Sequence, residues 1–329
     1  MDEINVSRYN PELHREKWEK FLKTTFNGTF LQSRLFLEYH GDRFVDHSLL
    51  FFRGTELVAL CPACEINDND KKIFASHIGS TFGGILIGEP FYSISNTGII
   101  IDALEEYLKA NGFDKCLLKL TGEMFCKDNN DLLYYNLFAR HFEYYDELSF
   151  GIPLTGVDKN NVPSVFKSKT RNLYKSSLKN NLTFKAFNER EDIEKFHSLL
   201  AASLARHDAK PVHSVDELMD IAFSRFPEAV RFYGVYTEDN TLVSASMIFI
   251  FGETFHTQYL CSSYEHLYLK PMDYLVGQLI ELAVKENYKY FSFGISTEDH
   301  GAVLNENLAK FKEGFGSKCY INKTYFKDL

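Results

Sequence analysis

Residues 230–250 read VRFYGVYTEDNTLVSASMIFI, two apolar runs rich in Val, Ile, Phe and Tyr on either side of Thr237-Glu238-Asp239-Asn240. This pattern predicts a β-hairpin, because β-branched and aromatic side chains fill a pleated surface while Asp and Asn tolerate the backbone of a tight turn. The same plan occurs earlier: HSLLFFRGTELVALCPACEI, residues 47–66, reads as strand, turn at Gly54, strand. Both second strands open alike, at Leu57-Val58-Ala59 and Leu242-Val243-Ser244. Beyond each hairpin come further strand-like residues, then a helix and a strand, in IDALEEYLKANGFDKCLLKL (101–120) and PMDYLVGQLIELAVKENYKYFSFGI (271–295). The second of these helices carries an apolar stripe of Met272, Leu275, Val276, Leu279, Ile280 and Ala283, with Pro271 suited to its first position. An order of elements that occurs twice predicts an α/β (α+β) chain of two tandem units with mixed, mainly antiparallel sheets. Gly and Pro cluster in GIPLTG, residues 151–156, which sets the expected domains at 1–155 and 156–329, with a ligand cleft between or within them.

The totals agree with two cores, since 329 residues exceed what one hydrophobic core usually organises. Thirty Phe and nineteen Tyr suit sheets and an aromatic-lined cleft. A net charge of −9 excludes a broad DNA footprint, which needs a clustered excess of Lys and Arg, and disfavours tRNA as well. No apolar signal core opens the sequence and no apolar run approaches the ~20 residues that span a bilayer, so we expect a cytoplasmic protein without a transmembrane segment. Cys61 and Cys64 form CPAC, but inside an apolar strand-like run and without a second pair, so they read as core and no metal is expected.

Five stretches hold residues with chemistry to offer. FSFGISTEDHGAVLNENLAKFKEGFG, residues 291–316, runs from an alternating strand (Phe291, Phe293, Ile295) into Ser296-Thr297-Glu298-Asp299-His300-Gly301 and then a helix. That helix is expected to bury Leu304, Leu308, Phe311 and Phe315 and to present Asn305 and Lys312 on an adjoining face. The polar tip is either a solvated loop or a ligand-facing edge at the carboxyl end of a strand. In VFKSKTRNLYKSSLKNN, 165–181, Lys169 and Arg171 stand among five cations, as a solvated helix face or as an anchor for phosphate. LAASLARHDAKPVHSVDEL, 200–218, sets His207, Lys210 and His213 around a proline, a loop suited to touching substrate; no carboxylate or third His sits at metal-ligand spacing. Alternation in FIFGETFHTQYLCSS, 249–263, places His256 and Gln258 on one sheet face, wet or turned to the cleft, and Tyr259 on the other. SHIGSTFGGILIG, 76–88, is neither a Walker loop nor a dinucleotide fingerprint; its glycines permit tight turns or close approach to a ligand.

The duplicated order, together with GTFLQSRLFLEYHGDRF, SHIGSTFGG, KSKTRNLYKSSLKN, RHDAKPVHS, FHTQY and FGISTEDHGAVLNENLAKFKEGFG, resembles the GNAT acyltransferase fold in tandem, as in the FemAB-like branch. The resemblance spans nearly the whole chain. It implies an N-acyltransferase that moves an acyl group, in the first place acetyl from acyl-CoA, to an amine of an amino sugar or cell-envelope precursor. On this reading Glu298 and His256 take the proton of the attacking amine. Ser76, His77, Lys169, Arg171, His207, Lys210, His213, Gln258, Tyr259, Ser296, Thr297, Asn305 and Lys312 bind substrate. One departure stands out. GNAT domains that bind acetyl-CoA carry a Q/R-x-x-G-x-G/A loop, whereas CSSYEHLYLKP, 261–271, contains no glycine. Two alternatives stay open: an aminoacyl-tRNA-dependent transferase of the Fem type, and an inactive fold that binds a glycan or nucleotide-sugar.

Overall fold

The structure, a computed structural model, describes residues 3–329 apart from Gly79, with His207 described in its backbone only. The chain divides into two compact units, Met1–Glu147 with Ile321–Leu329, and Leu148–Tyr320. The division falls shortly before the 151–156 cluster.

The first unit opens with β1 (Ile4–Arg8) and α1 (Pro11–Leu22), whose start is capped by the Asn10 side chain. The hairpin expected around Gly54 is present as β2 (Leu49–Arg53) and β3 (Glu56–Cys61), with Gly54 at a φ of 58°. Next come β4 (Ala63–Asp68), β5 (Lys71–Ser76), α2 (Ile94–Ala110), β6 (Lys115–Lys119) and α3 (Asp131–Ala139). Two sheets result: β1, β2 and β3 pair antiparallel in that order, while β4, β5 and β6 form a second, with β5 and β6 parallel. Ile100, Ile101, Leu104 and Leu108 of α2 bury one stripe in a core with Phe51, Val58, Phe74 and Leu118. Cys61 and Cys64 are fully buried thiols in these strands, and burial pushes both up.

The strand β7 (Glu143–Pro153) leads into the second unit. There the chain forms α4 (Ser168–Ser177), β8 (Thr183–Phe187), α5 (Arg190–Leu204), α6 (Val215–Met219), β9 (Val230–Tyr236), β10 (Leu242–Phe251), β11 (Thr254–Ser262), α7 (Pro271–Lys285), β12 (Tyr290–Ile295) and α8 (Glu306–Gly314). Strands β8 to β11 are antiparallel neighbours in chain order. The expected hairpins turn at Asn240 and Gly252, both at positive φ. Strand β12 then lies parallel to β11 on one side and antiparallel to the 149–153 part of β7 on the other. As expected, Leu275, Val276, Leu279, Ile280 and Ala283 of α7 are fully buried. A last strand, β13 (Lys318–Asp328), pairs through Thr324–Asp328 with β6 of the first unit, where Tyr325 joins the core.

Gly277 marks where α7 meets α4. A Cβ there would lie 2.2 Å from Cε2 of Tyr174, a buried ring whose hydroxyl donates to Glu281 at 2.8 Å and accepts from Gln278 at 2.6 Å. Alanine normally improves a helix by up to about 1 kcal/mol over glycine. Here the ring cannot yield, so Gly277→Ala is expected to destabilise the second unit by about 1–3 kcal/mol, the usual cost of overpacking. Urea unfolding followed by circular dichroism checks the sign.

Candidate active site

Strands β11 and β12 are paired over three positions only, Thr254 with Tyr290, Phe255 with Phe291 and His256 with Ser292. Beyond Ser292, β12 continues to Ile295 along β7, where Gly294 faces Phe150 and Ile295 faces Ser149. Two irregularities fall at this point. In β11, Gln258 is an extra residue between Tyr259, opposite Met247, and Thr257, opposite Ile248. In β12, the register slips between Ser292 and Gly294, with Gly294 at a φ of 71°. Bulges re-aim side chains and end pairing, and here they do so at the centre of a sheet. A Cβ on Gly294 would stand 3.3 Å from Cε1 of His256, so glycine lets the imidazole approach the backbone of the neighbouring strand.

The polar groups at this point are buried. His256 is 5% exposed; its Nδ1 lies 3.0 Å from Ser292 Oγ, and Gln258 hydrogen-bonds the ring as well. Burial, with the Lys312 charge nearby, lowers His256 to about 3, so the ring is neutral at physiological pH. Lys312, 3% exposed, reaches from the last turn of α8 and donates to the carbonyls of Gly294 at 3.0 Å and Ile295 at 2.5 Å. Burial lowers it to about 7, against the two carbonyls that hold its protons. The ring of Phe150 lies 5.8 Å away. Ser296, 2% exposed, has a buried hydroxyl with no partner among the described residues, while its amide and carbonyl are tied to Leu148 and Asn305. A buried hydroxyl left unbonded costs stability unless a ligand completes it.

The remaining candidates distribute as follows. Thr297 and Glu298 pair with Val303 and Leu304 in a short antiparallel turn. Thr297 Oγ1 accepts from the Leu148 amide at 3.2 Å; Glu298 is exposed and accepts from Asn305 Nδ2 at 3.3 Å. Asn305 caps α8 by accepting from the Leu308 amide. The expected apolar stripe is corrected here: Leu304 and Leu308 are exposed, and α8 instead buries Ala309 and Lys312, with Phe315 following. Arg171 is spent within its own segment, donating to the carbonyls of Pro163, Ser164 and Phe166, whereas Lys169 is exposed. His213 Nδ1 lies 2.8 Å from the Tyr259 hydroxyl, which ties the loop after α5 to β11 just past the bulge; Lys210 is exposed on that loop. His207 ends a 3-10 turn, and its side chain lies outside the described residues. Ser76 and His77 belong to the first unit. There Ser76 Oγ accepts from the Lys119 amide, and His77 is buried beside the rings of His40 and Phe44, with burial pushing it down to about 4.

Helical spacing puts Lys312 on a presented face, whereas it is buried, and no local pattern marks the buried Ser292. The glycine inside FSFGIS was the available signal, since glycine within a strand marks a bulge or a close approach.

A diphosphate such as that of CoA is usually held by free backbone N–H groups at a glycine-rich turn and helix N-terminus. At the entry to α7 several of these groups are already used. The amides of Leu267, Leu269, Lys270 and Tyr274 bond carbonyls of the same segment, Pro271 has none, and the Asp273 carboxylate bonds its own N–H. With no glycine in 263–270 and an acidic residue in the first helical turn, this connection departs from the glycine-rich turn that usually holds a diphosphate. Among the described residues no three His, Cys, Asp or Glu side chains gather as a metal site.

Residues 165–301 match the model of the acetyltransferase (GNAT) domain family. No curated protein matches the sequence. Among solved structures, FemX is similar at 12% identity, covering 99% of this chain and 97% of that one with a TM-score of 0.72. L-PGS from Bacillus licheniformis is similar at 14% identity, 95% and 91% coverage and a TM-score of 0.60. A tandem GNAT protein from the clavulanic acid biosynthesis pathway is similar at 8% identity, 99% and 98% coverage and a TM-score of 0.55. Residues 165–301 thus match a GNAT domain, and the fold of the chain is similar to that of FemX and of a tandem GNAT protein. The matched stretch includes β11 and β12 where they part and ends eleven residues before Lys312.

Proposed function

We propose that the protein is an N-acyltransferase that joins an activated acyl group to the amine of an amino sugar or cell-envelope precursor. The observation that carries this is Lys312, a buried amine lowered to about 7 where β11 and β12 part, which donates to the carbonyl of Ile295, the residue before Ser296, whose buried hydroxyl has no partner among the described residues. An ammonium cannot attack an acyl carbon. In its neutral form Lys312 accepts the proton from the incoming amine, whose nitrogen then forms the C–N bond while the bond from the acyl carbon to its carrier breaks and the carrier leaves with a proton. The Ser296 hydroxyl donates to the oxygen that gains charge at that carbon. Neutral His256, anchored on Ser292 and Gln258, shapes the wall of the site. Glu298 is exposed and accepts from Asn305 Nδ2. The role of base therefore passes in this proposal from Glu298 and His256 to Lys312.

The GNAT domain makes acyl-CoA the first donor to try. The consumed amides at the start of α7 favour a second reading, in which the donor is an aminoacyl ester such as aminoacyl-tRNA and needs no diphosphate cradle there. Incubation with acetyl-CoA or with aminoacyl-tRNA, and with amino-sugar and peptide amines, is expected to give acylated product by mass spectrometry with one of the donors. Ligand binding without product from any donor would show a binding protein and end the proposal.

A further inference from the structure

The connection from β11 to α7 places large side chains in solvent: Tyr264 is 68% exposed, Leu267 50% and Tyr268 73%. Their backbone is fixed, through the amide bonds of the 264–270 turn and through Asn180 Nδ2, which donates to the Leu269 carbonyl at 2.9 Å. Cations surround them. The Arg206 guanidinium sits 5.1 Å from the Tyr264 ring centroid and donates to the Ser262 carbonyl, and Lys270 Nζ donates to Ser176 Oγ at 2.6 Å. That bond brings the end of α4 alongside, where exposed Lys175 and Lys179 flank Ser176 and Leu178, the latter 51% exposed. Glu265 is the carboxylate within 263–270. On a chain of net charge −9, cations gathered beside exposed apolar side chains make a patch of opposite sign to the overall charge.

We propose that this patch docks the protein on an anionic membrane surface. Tyrosine rings and a leucine enter the headgroup layer, as amphipathic side chains do at bilayer interfaces, and the lysines and arginine face anionic headgroups. Exposed aliphatic side chains decide against single-stranded RNA as the partner, because base stacking uses rings and cations and has no use for Leu178 or Leu267. Among the described residues no helix is long and apolar enough to cross a membrane, so the contact is peripheral.

Co-sedimentation of the full chain with phosphatidylglycerol–phosphatidylcholine vesicles, with phosphatidylcholine vesicles alone, and with a single-stranded RNA oligomer in a parallel shift assay tests this. Binding is expected to the anionic vesicles only, and to weaken with added salt. Replacing Tyr264, Leu267 and Tyr268 together by Ser should lower the partition coefficient at least tenfold. Lys175→Ala with Lys179→Ala, a second variant on exposed positions, should lower it on the order of fivefold per cation at low salt. Circular dichroism confirms that both variants fold. Absence of binding to anionic vesicles, binding that neither variant weakens, equal binding to neutral vesicles, or binding to RNA in place of vesicles would each overturn the proposal.

Discussion

Replacing Lys312 by Arg is expected to lower kcat by roughly 10²-fold to 10⁴-fold while the protein stays folded, the range typical of losing a positioned base. Arginine keeps a cation on the carbonyls of Gly294 and Ile295 but does not give up its proton at any working pH. The comparison therefore separates a proton acceptor from a fixed charge. In the wild type, Lys312 lowered to about 7 predicts that kcat climbs as pH rises through 7, because the neutral fraction grows. In the variant that limb should vanish. Lys312→Met, which fills the same volume without charge, should be equally slow yet no less soluble. Wild-type rates with arginine would mean that Lys312 stabilises charge instead, and the proton-transfer proposal would fall.

Acid should destabilise the second unit through His256. Its folded pKa, lowered to about 3, lies below the ordinary value of 6.5, so between these values the unfolded chain binds a proton that the folded chain refuses. The stability contributed by neutral His256 is complete above pH 6.5 and is lost as pH falls toward 3, at up to about 1.4 kcal/mol per pH unit. His256→Gln removes this titration and should flatten that part of the stability-against-pH curve in urea melts followed by circular dichroism, whatever it does to stability at pH 7. Parallel curves for wild type and variant between pH 6.5 and 4 would show that His256 accepts its proton without unfolding.

Much of the architecture was legible because it rests on local signals. The turns at Gly54, Asn240 and Gly252 and the buried stripe of α7 follow from backbone preference and a period near 3.6. His256 with Gln258 was also visible, as polar residues in an apolar strand. What stayed hidden depends on partners distant in sequence. Periodicity assigned Leu304 and Leu308 to the core, but the space beneath α8 takes Ala309 and the stem of Lys312, whose ammonium is accommodated only because two carbonyls of β12 meet it. Arg171 read as an anion anchor because a count of charges does not show the three carbonyls that consume its donors. The bulge at Gln258 is invisible in alternation, since it appears only when β11 is laid against β10.

Strand β13 has a consequence for the order in which the protein can be made. Its 321–329 part belongs to the first unit, and Tyr325 sits in that core opposite Leu118 on β6. These residues leave the ribosome only after all of Leu148–Tyr320 has been translated. The first unit to be synthesised is therefore the last to close, with the edge of β6 waiting unpaired while the other half emerges and folds. Unpaired strand edges invite misassembly during such an interval. A released chain truncated before Ile321 should accordingly be more protease-sensitive in its first unit than in its second.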